Sequence, residues 1–312
     1  PKHCLSSAVA GAPVLAPSRR ARHTRDIAPM TTVTNFDFAF PSDCLPRPAD
    51  PQAAAVGRER WLAALARHDD ADAQRFAEAP PAESDAGRLL AAVFGNSPYL
   101  TLVAEQEPVF LANLLRQGAD AAWRAIDAEA ATWASGTLPQ AELATRLRVG
   151  KRRLALAAAV ADIAGAWPLE RVTGALSTFA ERAIEGVLAV LLLDLDRRGV
   201  LRLPDRADPR RGSGVIVLGM GKLGAHELNY SSDIDLIVFY DPERIAAEDR
   251  PGQQPHMVRM TRALMRLLSD RTKDGYVFRT DLRLRPDPGS TPPAMTVLAA
   301  EIYYETMGQN WE

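Results

Sequence analysis

Two aspartates, Asp233 and Asp235, are the residues of this chain whose type and spacing point most directly to chemistry. They open the segment SDIDLIVFY, residues 232–240, whose apolar run predicts a β-strand. Side chains alternate along a strand, so both carboxylates point the same way, with their Cα atoms about 7 Å apart. Paired carboxylates repel each other unless a cation lies between them, and Mg²⁺ prefers such oxygen ligands. The pair therefore predicts a metal-dependent phosphoryl-transfer site; the alternative is two solvated acids at an exposed strand start.

A third acid lies in the segment DGYVFRTDLRLRP, residues 274–286. We predict a strand over residues 276–284, with Asp281 in a row of arginines on one face, together with Arg279, Arg283 and Arg285. Asp281 is then a third metal ligand or a base, and Arg283 and Arg285 hold phosphate oxygens in a bidentate fork. The alternative is a structural row of ion pairs.

A glycine-rich turn precedes the two aspartates. Gly219, Gly221 and Gly224 spell G-x-G-x-x-G directly after an apolar strand. Glycines let backbone N–H groups approach a phosphate closely. Lys222 in the turn adds positive charge, and Ser232 is a further candidate phosphate ligand.

The same glycine pattern is also typical of dinucleotide-binding folds, and Asp241 lies where such a fold needs an acid. That fold requires a crossover of roughly a dozen or more residues between two parallel strands. Only nine residues, 225–233, separate Gly224 from Ile234. The connection is too short, so we favour the phosphoryl-transfer interpretation.

Composition bounds the class of protein. The 312 residues are 47% hydrophobic and 24% charged, with a net charge of −2, which gives no reason to expect a nucleic-acid or membrane partner. The two cysteines, Cys4 and Cys44, form no metal-ligand spacing, so a cytoplasmic setting is expected. Residues 1–30 are expected to be a disordered or non-native extension, with Met30 as the start; a processed targeting segment is the alternative.

The remaining chain divides by pattern into two parts, which predicts an α+β fold. Residues 31–202 form a helical domain, and residues 203–312 form a domain of mixed helix and strand that begins with a Pro- and Gly-rich connector. The basic cluster Lys151, Arg152 and Arg153 is expected to be a solvated helix face. The four tryptophans of the helical part, Trp61, Trp123, Trp133 and Trp167, are expected to pack in its core. The final helical pattern, near residues 299–312, lacks a stop signal, as in a fragment of a longer chain.

Three stretches resemble one known family. GMGKLGAHELNYSSDIDLIVFY resembles the nucleotidyltransferase core of the bifunctional glutamine synthetase adenylyltransferase/adenylyl-removing enzymes. DGYVFRTDLRLRPDPGSTP is similar to the segment with that family's third acid, and FGNSPYLTLVAEQEP, residues 94–108, is similar to the start of its helical region. The resemblance runs from about residue 50 to the end.

The resemblance implies a DNA polymerase β-like nucleotidyltransferase domain with a small mixed sheet, truncated at its C-terminus. It implies Mg²⁺, or Mn²⁺, at Asp233, Asp235 and Asp281. The family's full protein has two such domains: one transfers AMP from ATP to a tyrosine of glutamine synthetase, and the other removes it with phosphate, giving ADP. A long helical stretch before the motif is similar to the N-terminal, adenylyl-removing half. Glutamine synthetase and a PII-type nitrogen signal protein are the implied partners. The Gly221-Lys222 pair departs from the Gly-Ser or Gly-Gly of the wider superfamily.

Overall fold

Alanine- and leucine-rich segments form a helical region ahead of a small sheet. The computed structural model describes residues 45–78, 80–245 and 252–308. All of them belong to one compact unit, Asn35–Glu312. The proposed extension at residues 1–30, and both cysteines, lie outside the described residues. Within the described part, eight α-helices precede the first strand: α1 Pro51–Leu65, α2 Ala71–Glu78, α3 Asp85–Asn96, α4 Pro98–Gln106, α5 Pro108–Gln117, α6 Ala119–Thr132, α7 Gln140–Ile163 and α8 Leu169–Arg197.

Local sequence signals set the ends of these helices. The side chains of Asp50, Ser84 and Ser97 accept hydrogen bonds from backbone N–H groups in the first turns of α1, α3 and α4. Helix α5 ends at Gly118, which has a positive φ of 82° and donates its N–H to the Leu114 carbonyl. A glycine in this conformation is a common helix stop.

Helices α7 and α8 form the centre of the helical part. Trp133, in the 3₁₀ turn after α6, packs edge-on against Phe179 of α8, with ring centroids 5.9 Å apart. Gly186 permits this contact, because a Cβ at that position would lie 2.7 Å from the Cβ of Trp133. The four tryptophans of the helical part are no more than 7% exposed, which confirms their predicted place in the core.

A four-stranded sheet follows, built around one central strand. Strand β1, Val215–Met220, pairs antiparallel with β2, Ile234–Tyr240, while β3, Thr280–Asp281, and β4, Ala294–Thr296, pair parallel with β2. Three helices complete the elements that the structure describes: α9 Gly221–Gly224, α10 Gln253–Ser269 and α11 Val297–Thr306. The antiparallel pairing of β1 and β2 rules out a dinucleotide-binding βαβ unit at the glycine turn, and the helical region followed by a mixed sheet confirms the α+β class.

Strand β2 is buried on both faces. Leu236, Val238 and Tyr240 join the main core, which continues into the helical part. Ile237 and Phe239 pack on the opposite face, in a smaller apolar cluster with Met295 and Ala300. Asp235 lies on this second face by alternation, so the predicted orientation away from the main core is correct.

The predicted strand over residues 276–284 is wrong in extent, since only Thr280 and Asp281 pair in the sheet. The reason lies in the preceding helix: the N–H groups of both Val277 and Phe278 donate to the carbonyl of Leu268. That turn buries both side chains, at 1% and 3% exposure, and removes the expected alternation. After Asp281 the chain leaves the sheet again, because the N–H of Arg283 donates to the Asp281 side chain.

The helical part and the sheet part adjoin in sequence between Arg197 and Val215. The predicted boundary at residue 203 falls in this connecting segment. Among the described helices, none is both long and apolar enough to cross a membrane.

Candidate functional site

An open cleft of about 560 Å³ lies at the end of β2 where the sequence places its acids. Asp235 is the register neighbour of Asp281 across the parallel β2–β3 pair and of Met220 across the antiparallel β1–β2 pair. Asp233 lies just before β2. All three aspartates line the cleft, so the structure brings together the acids that the sequence singles out.

Two of the three aspartates are paired with arginines. Arg279 donates from Nε to Oδ1 of Asp233 at 2.6 Å, and from Nη2 to the carbonyl of Ser231 at 2.7 Å. Arg283 donates from Nε to Oδ2 of Asp281 at 2.7 Å. The side chain of the third aspartate, Asp235, makes no hydrogen bond or ion pair among the described residues.

These contacts give the acids different pKa values. Partial burial and the nearby charges of Asp281 and Asp233 raise the pKa of Asp235 above its ordinary value. Hydrogen bonds from Arg283 hold the pKa of Asp281 below its ordinary value. Asp235 is therefore repelled by the other two carboxylates, while Arg283 and Arg279 pair with Asp281 and Asp233.

The donor set suits a hard divalent cation, which takes oxygen ligands and would relieve this repulsion. As the side chains lie, however, no group of three or more His, Cys, Asp or Glu residues within 45–78, 80–245 and 252–308 is arranged to hold a metal ion. The physical reason is that Asp233 and Asp281 are turned toward their arginines. A metal at all three aspartates remains a prediction that requires these side chains to exchange arginine for the cation.

The glycine turn closes one side of the cleft. Gly221 has a positive φ of 53°, and a Cβ there would lie 2.9 Å from Oδ2 of Asp235. Residue 224 must also be glycine, because a Cβ at this position would lie 2.6 Å from the carbonyl oxygen of Gly219. Gly221 and Lys222 line the cleft, whereas Gly219 and Gly224 are not among its lining residues and act on the shape of the turn.

Of the remaining predicted phosphate ligands, two line the cleft and one does not. Ser232 and Arg283 line the cleft. Arg285 is not among the lining residues; its guanidinium donates to the backbone carbonyls of Leu282, Pro288 and Thr291. Arg285 therefore holds the loop after β3. It is not aligned with Asp281 as predicted, because strand β3 ends at Asp281.

Arg279 and Asn229, which the sequence did not identify as site residues, also line this cleft, and Ser231 lines it beside Ser232. Arg279 could have been identified from the sequence, because it lies two positions before Asp281 in the same row of arginines. Asn229 accepts a hydrogen bond from Ser232 at 2.6 Å, a contact that the sequence does not show.

The interpretation of the basic cluster in α7 as a solvated face is wrong. Arg152 and Arg153 each donate to Glu107, at 2.7 Å, and Glu107 is only 7% exposed. Lys151 lies over the ring of Phe278, with Nζ 4.2 Å from its centroid. Lys151 and Arg152 face inward because α7 packs against α4 and against the segment that follows α10, whereas the side chain of Arg153 stays 39% exposed.

Comparison with known proteins agrees with this architecture. The sequence profile of the family described as glutamate-ammonia ligase adenylyltransferase matches residues 87–312. Three similar relatives are each named bifunctional glutamine synthetase adenylyltransferase/adenylyl-removing enzyme. The protein of Rhizobium meliloti is 46% identical over 85% of this chain and 27% of its own length. That of Mesorhizobium japonicum is 45% identical over 84% and 26%, and that of Rhodopseudomonas palustris strain CGA009 is 43% identical over 86% and 27%.

The chain thus spans about a quarter of the length of these relatives: the match covers 26% to 27% of each. The profile match covers well over half of the 312 residues, from helix α3 onward, and includes every acid of the cleft. The chain belongs to the glutamate-ammonia ligase adenylyltransferase family.

Proposed function

We propose that this chain is a metal-dependent nucleotidyltransferase that acts on glutamine synthetase in the control of nitrogen assimilation, in the cytoplasm. We assign it the removal of AMP from an adenylylated tyrosine by phosphate. The observation that carries the proposal is the convergence of Asp233, Asp235 and Asp281 at one end of β2, beside the Gly221 turn. The names of the relatives support the nucleotidyl chemistry and the protein substrate.

The chemistry is an in-line displacement at phosphorus. A phosphate oxygen forms a bond to the phosphorus of the AMP ester, the bond from phosphorus to the tyrosine oxygen breaks, and the products are ADP and a tyrosine that takes up a proton. Divalent cations held by Asp233, Asp235 and Asp281 would neutralise the charge that develops at phosphorus. Lys222 and Arg283, which both line the cleft, are placed to orient the incoming phosphate.

The choice of the removal reaction rests on the long helical region ahead of the site, Pro51–Arg197, which resembles the region preceding the adenylyl-removing domain of the family. The full-length protein would also attach AMP from ATP in its second domain, and a PII-type signal protein would set the direction. The same fold also suits a catalytically silent regulatory or scaffolding fragment, and only the retained acids argue against it.

The test is the variant Asp235→Asn, assayed for phosphate-dependent release of ADP from adenylylated glutamine synthetase with Mg²⁺. Asp235 makes no ion pair among the described residues, so the substitution removes a ligand without breaking a contact. We expect turnover to fall about 100-fold or more. Asp69→Asn, at an exposed acid outside the cleft, is the matched control and should retain full turnover. Equal turnover in the two variants would contradict the site, and a folded but inactive parent chain would favour the silent fragment.

A further inference from the structure

A second and larger cavity, of about 850 Å³, adjoins the acidic cleft. Its walls come from α4, from α7 and from residues 271–279, the segment between α10 and β3. Ser231, Ser232 and Arg279 line both cavities and form the border between them. A volume of this size is typical of small-molecule sites.

One stripe of α7 forms the length of this cavity. Lys151, Ala155, Ala159 and Asp162 follow at helical spacing and all line it. The eleven residue-to-residue steps from Lys151 to Asp162 correspond to about 16 Å of helix. The two alanines, 6% and 9% exposed, make the middle of this wall smooth and apolar.

Lys151 is the observation that indicates a ligand. Its ammonium faces the ring of Phe278, yet it makes no hydrogen bond or ion pair among the described residues. Burial lowers its pKa to about 8. Lys151 is half-buried and lines the cavity, and the described residues supply no acceptor for its three donors. A ligand with hydrogen-bond acceptors therefore fits this place.

The other end of the stripe has the opposite character. Asp162 accepts a hydrogen bond from the hydroxyl of Tyr230 at 3.2 Å. Tyr230 directly precedes Ser231 and Ser232, which border the acidic cleft. A carboxylate at this place suits a ligand group with hydroxyl donors.

Aromatic side chains complete the cavity between these two ends. Tyr99 of α4 is 53% exposed and lines the wall opposite the alanines of α7. Tyr276 lines it from the 271–279 segment, with the guanidinium of Arg271 5.3 Å from its ring centroid. Such rings bind flat, apolar groups by stacking.

We propose that this cavity, which we call the α7 pocket, binds the adenosine part of the nucleotide whose phosphates lie in the acidic cleft. The inference rests on the proposed function. Adenosine matches the order of groups: hydroxyls of the ribose toward Asp162, near the border with the cleft, and the flat base along Ala155 and Ala159. The ring nitrogens of adenine are acceptors for the ammonium of Lys151.

A steric block of the α7 pocket tests this assignment. Ala159→Leu places a larger side chain in the pocket without touching a residue of the acidic cleft. The probes are ADP and pyrophosphate, each with Mg²⁺, titrated calorimetrically into the 312-residue chain. We expect Ala159→Leu to weaken ADP binding about tenfold or more and to leave pyrophosphate binding unchanged. Ala141→Leu, on an exposed turn of the same helix, is the matched control and should change neither.

Each other outcome has a distinct meaning. If Ala159→Leu leaves ADP binding intact while Asp235→Asn weakens both probes, the α7 pocket does not bind the nucleoside although the proposed function stands. If Ala159→Leu raises only the KM for glutamine synthetase, the pocket binds the protein substrate and the nucleoside assignment is wrong. If the parent chain binds neither probe, the proposed function itself fails.

Lys151→Met is the second variant and decides the case if Ala159→Leu does not fold. It keeps the length of the side chain and removes its donors. We expect weaker ADP binding, by about fivefold or more, with pyrophosphate binding unchanged. An equal loss for both probes would place Lys151 at the phosphates and overturn the assignment.

Discussion

The guanidinium of Arg148 donates from Nε to the carbonyl oxygen of Gly275 at 2.9 Å, across 127 residues of sequence. Its Nη2 also donates to the carbonyl of Asp270, at 2.6 Å, so one side chain of α7 holds both ends of the turn that follows α10. Arg148 is 2% exposed, and burial lowers its pKa. The turn leads directly to Arg279 and Asp281, so the helical part positions one wall of the candidate site.

We expect Arg148→Met to lower the free energy of unfolding by about 2–4 kcal/mol, because it removes three hydrogen bonds that one buried guanidinium donates to backbone carbonyls. Denaturant unfolding measures the loss. Arg146→Met is the matched control on the same helix: Arg146 is exposed and pairs with Glu142, so its loss should cost under about 1 kcal/mol. Equal losses for the two variants would show that the link between α7 and the turn contributes little.

The glycine turn allows a second prediction. Gly221→Ala places a Cβ 2.9 Å from Oδ2 of Asp235 at a positive φ of 53°. We expect a loss of stability of about 1–2 kcal/mol and, because Asp235 must move, a large loss of nucleotidyltransferase turnover. Gly174→Ala is the control, since a Cβ there meets nothing within 4 Å inside α8, and it should raise stability by up to about 1 kcal/mol. Full activity in Gly221→Ala would remove the argument for close packing at the turn.

The sequence predicted those parts of the fold that depend on local patterning. The helical character of the region before residue 203 and the strand β2 follow from apolar periodicity. The shortness of the link between Gly224 and Ile234 was enough to predict that the dinucleotide fold is absent, and the antiparallel pairing agrees.

Contacts distant in sequence account for what the sequence did not show. The truncation of β3 depends on the carbonyl of Leu268, and the inward face of Lys151 depends on Phe278. Neither contact leaves a local pattern. A basic run in an alanine-rich helix predicts a solvated face. The acidic partner that overrides this prediction, Glu107 for Arg152, lies on a distant segment of the sequence.

The lowered pKa of Lys151, which is half-buried against Phe278, predicts a pH dependence of stability. Its pKa is about 8 in the folded protein, below the ordinary value of 10.5. Below pH 8 the lysine is charged in both states, and the cost of burying that charge is present in full. Between pH 8 and 10.5 the folded chain has released the proton while the unfolded chain retains it, so the free energy of unfolding rises with pH.

Lys151→Met removes this contribution. We expect the variant to be more stable than the parent at pH 7, by at most about 3 kcal/mol, because the cation–π contact with Phe278 offsets part of the burial cost. The advantage should shrink as the pH rises from 8 to 10.5. Denaturant unfolding of both proteins across this range measures it, and a constant difference would show that Lys151 keeps an ordinary pKa.

Asp233 and Asp235 allow a final prediction, because these two acids differ in their partners. Asp233→Asn removes the ion pair with Arg279. The side chains of Asp233 and Arg279 are 46% and 60% exposed, so we expect the free energy of unfolding to fall by under about 1 kcal/mol. Asp235→Asn should leave stability unchanged or increase it, because it removes a charge that Asp281 and Asp233 repel. Thermal unfolding without divalent cations compares the two variants. If Asp235→Asn were the more destabilising, Asp235 would be a structural residue, and its loss of turnover could no longer be assigned to chemistry.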